Sequence, residues 1–265
     1  MQLFFNRFFT AFKKTTFLKQ KKSIEITLTT HRLQGYKIVH ISDLHIDKKS
    51  NQEELLGLID AINAVDCDVV LITGDLLGTK IKYIKEKLTL FKNLKHQAYY
   101  VTGNHDLVNG HTTLKQIMDS CNIICLDNRY KILNFRNEKY VLAGLSDRYS
   151  RFFGIKRETQ TLVKKLRTLS YPVLFLAHQP KDYIYAYKAN SQLFLCGHTH
   201  AGQIYPFTYL VKLVQPFVSG LYNYKGMAVY VNNGLGTWGV NVRFRTEAEW
   251  TLMKLTYTQP LEHFE

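Results

Sequence analysis

The chain has 265 residues, 46% hydrophobic and 13% aromatic, with 35 basic against 21 acidic side chains and a net charge of +14. That length and apolar content exclude wholesale disorder and allow a core that buries roughly 70–75% of the unfolded chain's surface. The 5 prolines and 15 glycines are too few for a Pro/Gly-rich linker, the 4 cysteines form no CxxC pair, and no uncharged apolar run is long enough to span a bilayer.

The positive excess attracts anions, whether phosphorylated substrates, nucleic acid or acidic headgroups. It is densest at the start, where residues 1–22 carry Arg7, Lys13, Lys14, Lys19, Lys21 and Lys22 and no acid. On a helical wheel Phe4, Phe5, Phe8, Phe9 and Phe12 gather on one side, opposite Asn6, Arg7, Thr10, Lys13 and Lys14. This predicts a basic amphipathic segment lying in an anionic membrane surface. Docking of the Phe face onto the chain's own domain is the alternative. Arg7 interrupts the apolar stretch and no small-residue cleavage site follows, which argues against a secretory signal. Cys67 and Cys196 sit in or beside apolar runs, as buried reduced thiols do. The expected place is therefore cytoplasmic, peripheral on the inner face of the cell membrane.

One catalytic domain is expected over 36–258. Residues 36–41 read as a buried strand, and 53–65 as a helix with Leu55, Leu56, Ile59 and Ile62 on one face. Strands follow at 69–73 and 98–102, separated by a helix over 81–94. This alternation argues for parallel βαβ units in an α/β protein. Further strands are expected at 140–144, 173–177, 192–196, 227–232 and 250–255, and a helix over 156–169. Residues 204–224 are rich in apolar and aromatic side chains but broken by Pro206, Pro216 and Gly220. They read as irregular structure, either an acyl-chain groove or membrane-facing lid, or ordinary packing on the sheet.

Polar residues fall just after these strands. Asp43 and His45 follow the first, Asp75 the second, and Asn104, His105 and Asp106 the third, while His178, His198 and His200 follow two later strands. Ligand sites in α/β sheets gather beyond the carboxyl ends of strands. Divalent cations of hard or borderline character take carboxylate, amide oxygen and neutral imidazole. Asp43 and His45 are two apart, as are His198 and His200, so each pair reaches one ion from one loop. Asp75 suits a carboxylate shared between ions, and glycines 74, 103 and 197 allow sharp turns. A lone residue of this kind is usually a surface or capping group; so many at five strand ends predict two divalent metal ions. Mn2+ is expected, with Fe or Zn2+ compatible with the same donors.

The ordered motifs Asp43-Leu44-His45, Gly74-Asp75, Gly103-Asn104-His105-Asp106, His178 before Gln179-Pro180, and Gly197-His198-Thr199-His200 resemble the calcineurin-like metallophosphoesterases. Ala201-Gly202-Gln203 and Asn233-Gly234-Leu235-Gly236-Thr237 are similar to a membrane-associated bacterial branch, which includes UDP-2,3-diacylglucosamine pyrophosphatases and related phosphodiesterases. The resemblance implies a single α/β domain, a β-sandwich core of mixed sheets flanked by helices. It implies that Asp43, His45 and His200 bind one metal, that Asn104, His178 and His198 bind the other, and that Asp75 bridges. A hydroxide between the ions would attack phosphorus, His105 would protonate the leaving oxygen, and Asp106 would hold the His105 ring.

The expected activity is hydrolysis of a phosphodiester or pyrophosphate on a membrane-associated, lipid-linked substrate such as UDP-2,3-diacylglucosamine, by a monomer. The alternative is a soluble nucleotide phosphodiesterase or nuclease, although clustered Phe with Lys suits a bilayer better than a base-stacking platform. A scaffold that had lost catalysis should lack ligands, and none is missing here. Asp147 with Arg148, Arg243 with Arg245, and Gln203 are weaker expectations for substrate contact, each with a surface turn or edge strand as the alternative. His40 reads as a packed core residue. His31, His96 and His111 lack partner spacing.

Overall fold

The computed structural model describes residues 12–13 and 21–257. The Phe4–Phe9 part of the amphipathic expectation lies outside the described residues. In chain order the elements are β1 (Phe12–Lys13), β2 (Lys21–Leu28), β3 (Lys37–Ile41), α1 (Gln52–Asn63), β4 (Val69–Thr73), α2 (Lys85–Thr89), β5 (Ala98–Val101), α3 (Asn104–Ser120), β6 (Ile123–Cys125) and β7 (Arg129–Phe135). They continue with β8 (Glu138–Gly144), α4 (Thr159–Leu166), β9 (Val173–Leu176), α5 (Tyr183–Lys188), β10 (Ser191–Cys196), α6 (Phe207–Val214), β11 (Gly220–Tyr224), β12 (Met227–Val231), β13 (Arg243–Phe244) and β14 (Trp250–Tyr257).

Two six-stranded sheets face each other, in the orders β2-β14-β3-β4-β5-β6 and β11-β12-β10-β9-β8-β7. The neighbours β3, β4, β5 and β6 pair in parallel, as βαβ connections require, while β14 runs antiparallel to β3. In the second sheet β8, β9, β10 and β12 are parallel, with antiparallel strands at both edges. Both sheets are thus mixed, as the family resemblance implies.

The burial pattern follows from strand geometry, because successive side chains point to opposite faces. Along β4, Val69 and Leu71 enter the layer between the sheets, where they join Ile38, Tyr99, Leu174, Leu176, Leu193 and Leu195. Val70 and Ile72 face the other way, under α1 and α3, against Leu58, Ile59, Ile62, Leu114 and Met118. The outer face of the second sheet is covered by Leu162 and Leu166 of α4 and Ala186 of α5. Strands covered on both faces read as unbroken apolar runs, which is why 69–73 and 173–177 are conspicuous in sequence.

Three expectations change. The sheet begins before residue 36: β2 pairs along its whole length with β14, so Lys21 and Lys22 open a strand instead of closing the N-terminal segment. The strict alternation of Ile24, Ile26 and Leu28 with Ser23, Glu25 and Thr27 was the available signal. The helix expected over 81–94 is broken into a 3-10 turn, the short α2 and a second 3-10 turn, with Ile84 at φ −133° as the break. Its buried Ile81, Ile84, Leu88 and Phe91 still keep helical spacing, which is what periodicity detects. Residues 204–224 are not irregular either, for they form α6 directly after Pro206 and then β11. Among the described residues no helix is long and apolar enough to cross a membrane.

Candidate metal centre

The loops after β3, β4 and β12 are held by one another's backbones. Asp43 N–H donates to the Gly74 carbonyl at 3.0 Å, His45 N–H to Asp75 at 3.0 Å, and Gly236 N–H to Asp43 at 2.7 Å. Asp43, His45, Asp75, His198 and His200 all adopt positive φ, between 46° and 73°. For residues other than glycine this region costs of order 1–3 kcal/mol each and persists where the surroundings over-determine it. The left-handed turns aim five side chains inward from three loops. Close approach is possible because Gly197 and Gly103 carry no side chain: a Cβ on Gly197 would lie 1.8 Å from Ser42 Oγ, and one on Gly103 would lie 2.1 Å from Asp75 Oδ1.

The seven residues singled out in sequence converge in two groups. In the first, His45 Nε2 stands 3.0 Å from His200 Nε2, and Asp43 Oδ1 stands 3.5 Å from His200 Nε2. In the second, His178 Nε2 stands 3.1 Å from Asn104 Oδ1, 3.1 Å from His198 Nδ1 and 3.2 Å from Asp75 Oδ2. Asp75 Oδ2 also lies 3.7 Å from His45 Nε2, so one carboxylate oxygen faces both groups. His178 donates Nδ1–H to the carbonyl of Thr73 at 2.7 Å, which turns the Nε2 lone pair inward. Asp43 Oδ2 accepts from Ser42 Oγ and from His198 N–H, while its Oδ1 is buried without a hydrogen-bond partner. A bare buried carboxylate oxygen surrounded by imidazole nitrogens is costly unless a cation occupies the space between them. The donor set therefore fits two divalent ions.

Electrostatics agree with that fit. Burial keeps imidazoles uncharged, pushing His45 down to about 4 and His198 down to about 3. Burial, the neighbouring His45 and the Arg243 guanidinium hold His200 well below its ordinary range. Neutral rings are the form that ligates. Burial raises Asp43 to about 6. Burial also opposes ionisation of Asp75, but His178, His45 and His105 outweigh it and hold the carboxyl well below its usual range. Burial disfavours charge on His178 too, yet Asp75, Asp43 and Asp147 raise it well above normal. The cluster draws positive charge inward, a demand that a divalent cation meets.

The structure redefines the other expected residues. His105 stands at the mouth, its ring edge-on to His45 with centroids 4.7 Å apart, and its backbone N–H donates to Asp75 Oδ1 at 2.8 Å. Asp106 was expected to hold the His105 ring. Instead its carboxylate accepts backbone N–H groups of Asp75, Leu77 and Gly103, each at 2.9 Å, and ties the second and third loops together. Arg243 was expected to reach substrate. It is fully buried, and its Nη2 donates to the carbonyls of Asn233, Gly234 and Gly236 while Nη1 donates to that of His200.

Gln203 likewise turns away from substrate. Its amide donates to the Trp238 and Val240 carbonyls and accepts from Trp238 N–H. Asp147 is buried, with one oxygen capping Tyr149 N–H and the other accepting from Gln179. Arg148 pairs with Asp182 at 2.9 Å. In each case the polar group satisfies a buried backbone or side-chain partner. His40 is packed in the core as expected, 2.9 Å from Thr73 Oγ1. Ser42 and the Thr73 carbonyl were missed, and no spacing in the sequence singles them out.

Two cavities open on the centre. One of about 310 Å³ is lined by His45, Asn104, His105, His198 and His200 and walled by Phe207, Val211 and Val214 of α6. The other, about 410 Å³, is mostly polar, with Lys49, Asn51, Thr237 and Asn241. His45, His105 and Trp238 border both.

Comparison with known proteins yields one family: the calcineurin-like phosphoesterase profile matches residues 36–202. An uncharacterized metallophosphoesterase of Helicobacter pylori is 35% identical over 83% of this chain and 59% of its own length. A transmembrane protein with metallophosphoesterase domain from Danio rerio is 31% identical over 83% of this chain and 53% of its own. This chain thus spans between about half and six-tenths of these relatives. Among solved structures, a dimetal phosphatase from Danio rerio superposes with a TM-score of 0.51 at 12% identity, covering 83% of this chain and 99% of that one. TT1561 of Thermus thermophilus superposes with a TM-score of 0.53 at 14% identity, covering 76% and 91%. These likenesses concern the fold.

Proposed function

This chain belongs to the calcineurin-like phosphoesterase family, and from that premise we propose that it is a two-metal hydrolase of a phosphodiester or pyrophosphate bond in a membrane-associated substrate, such as UDP-2,3-diacylglucosamine. The observation that carries the chemistry is Asp75 Oδ2, within 3.2 Å of His178 Nε2 and 3.7 Å of His45 Nε2, at the meeting point of two sets of lone pairs. Asp43, His45 and His200 would hold one ion, Asn104, His178 and His198 the other, and Asp75 both. Paired ions lower the pKa of water and neutralise charge on the phosphoryl oxygens. His105, at the border of the two cavities, would present a ring N–H to the leaving oxygen. Arg243 keeps in place the Asn233–Gly236 loop and the loop that carries His200, one of the residues that would hold the first ion.

The substrate class rests on the unlike cavities that meet at His105. The apolar wall of α6 suits an acyl-bearing arm, and the polar cavity beside Lys49 and Asn51 suits a sugar or nucleotide arm. A peripheral position on the inner face of the membrane belongs to the same proposal. The test compares purified full-length protein on UDP-2,3-diacylglucosamine, bis(p-nitrophenyl) phosphate and single-stranded DNA, alongside metal content. We expect about two ions per chain, hydrolysis of the first two substrates, and loss of both in Asp75→Asn. Full activity after chelation overturns the metal mechanism; preference for DNA overturns the substrate class.

A further inference from the structure

We propose that α6 and the neighbouring 238–240 loop form a docking face that inserts into an anionic lipid bilayer and places the mouth of the metal centre at the membrane surface. The proposal rests on the membrane-substrate reading above and adds the surface that serves it.

The helix is anomalous for a soluble surface. Its sequence is FTYLVKLV, none of its residues is buried, and Leu213 is 82% and Leu210 55% exposed. Across the same cavity Trp238 is 49% exposed, and Val240, two residues on in the same loop, is 53% exposed. Single exposed apolar residues are ordinary, but a contiguous group rimming a cavity marks a contact surface. The two sides of the helix have different duties. Phe207, Val211 and Val214 line the catalytic cavity, while Leu210 and Leu213 have no part in it. The loop opposite is not loose, since the Gln203 amide holds both the Trp238 and Val240 carbonyls and so fixes the apolar side chains at the rim.

Charge identifies the occupant. On the other side of α6 lies a cavity of about 1300 Å³, lined by Lys21, Lys22, Lys212 and Arg245 among tyrosines. Its two acids are Glu247 and Glu249, the latter paired with Lys22 at 3.4 Å and hydrogen-bonded to Tyr230, so the cations stay in excess. An apolar helix face with Lys and Arg at its flank is the signature of an interfacial helix on anionic lipid. The start of the chain adds continuity. Phe12 pairs with Phe244, which also bridges to Ile204, just before α6. The sequence ahead of Phe12 carries Phe4, Phe5, Phe8, Phe9 and Arg7 and no acid, a composition of the same lipid-seeking kind. A second copy of this chain would bury the apolar strip but would bring its own net charge of +14 toward the adjoining cations.

Tryptophan fluorescence reads this face directly, because the chain has 2 tryptophans and Trp250 is only 3% exposed. The full chain is mixed with phosphatidylcholine vesicles containing about one-third phosphatidylglycerol, with acyl chains brominated or plain. Brominated lipid is expected to quench the emission of the wild type and not that of Trp238→Phe. Leu210→Glu with Leu213→Glu is expected to weaken vesicle binding roughly tenfold and abolish quenching, with hydrolysis of soluble bis(p-nitrophenyl) phosphate unchanged.

Vesicle-bound wild type that is not quenched overturns the proposal. So does a double variant that binds vesicles as the wild type does, or one whose change is from dimer to monomer in light scattering with vesicle binding intact. Hydrolysis of the soluble ester together with any of these results sinks the docking face alone. Quenching in a protein that hydrolyses no phosphoester sinks the catalytic reading alone.

Discussion

Asp106 accepts the backbone N–H of Asp75 at 2.9 Å, so the carboxylate expected beside the reacting phosphate instead fixes the backbone of the shared metal ligand. With Leu77 and Gly103 it satisfies three buried donors from two loops. Asp106→Ala should leave those N–H groups unpaired and lower stability by about 3 kcal/mol or more. Urea denaturation should show an earlier midpoint for Asp106→Ala and an unchanged one for His105→Ala. An Asp106→Ala protein with wild-type stability and reduced turnover would restore the ring-orienting role.

Arg243 makes a parallel case on the other side of the centre. Its guanidinium bonds four carbonyls from the loops that carry His200 and Gly234. Arg243→Met fills much of the volume but supplies no donor, so it should lower stability by about 3 kcal/mol and reduce bound metal. Arg243→Lys should recover part of both, since an ammonium can serve some of the carbonyls but lacks the planar fork. KM for a soluble phosphodiester should stay near the wild-type value in the folded fraction. A raised KM at unchanged thermal stability would instead place the guanidinium on substrate.

These two residues mark where sequence stops being legible. Asp43, Asp75 and His178 stand out because they interrupt apolar runs at strand ends, and that geometry is common to α/β folds. Their convergence therefore needed no coordinates to anticipate. Asp106, Asp147, Gln203 and Arg243 are polar residues in the same neighbourhood, with nothing local to separate them from ligands. What separates them is the partner they meet, a backbone amide or carbonyl from a loop distant in sequence. The positive φ of Asp43 and His200 is equally silent, because it is imposed by tertiary hydrogen bonds against residue preference. Strand β2 was legible through Ile24, Ile26 and Leu28, but only to a period-of-two reading applied within the basic N-terminal stretch.

Acid should expose a third contribution. Burial works against charge on Asp127, but His111 at 3.6 Å, Lys115 at 3.2 Å and both the N–H and O–H of Thr102 hold its pKa below the ordinary value. A carboxyl depressed in the folded state stabilises fully above its unfolded pKa of about 3.9, and that stabilisation drains as pH falls through the folded value. Wild-type stability in urea should therefore drop below about pH 4 more steeply than that of Asp127→Asn. At neutral pH the variant should be the less stable, by about 1–3 kcal/mol. Parallel pH curves for the two proteins would remove Asp127 from the account.

Gly197 gives the sharpest separation of site geometry from stability. A methyl group there would sit 1.8 Å from Ser42 Oγ and 2.2 Å from Asp43 Oδ2, the oxygen that His198 N–H and the Ser42 hydroxyl hold. Gly197→Ala must displace Asp43, and with it the unpartnered Oδ1 that faces His45 and His200. A misplacement of that size costs on the order of a hundredfold in rate, and the first metal should be lost before the second. Gly154→Ala is the matched control: nothing lies within 4 Å of its added Cβ, but φ is +68°. It should cost about 1 kcal/mol of stability through the left-handed backbone and leave rate and metal content alone. Elemental analysis showing near-full metal in Gly197→Ala, with activity within a few-fold of wild type, would mean that Asp43 is not a ligand.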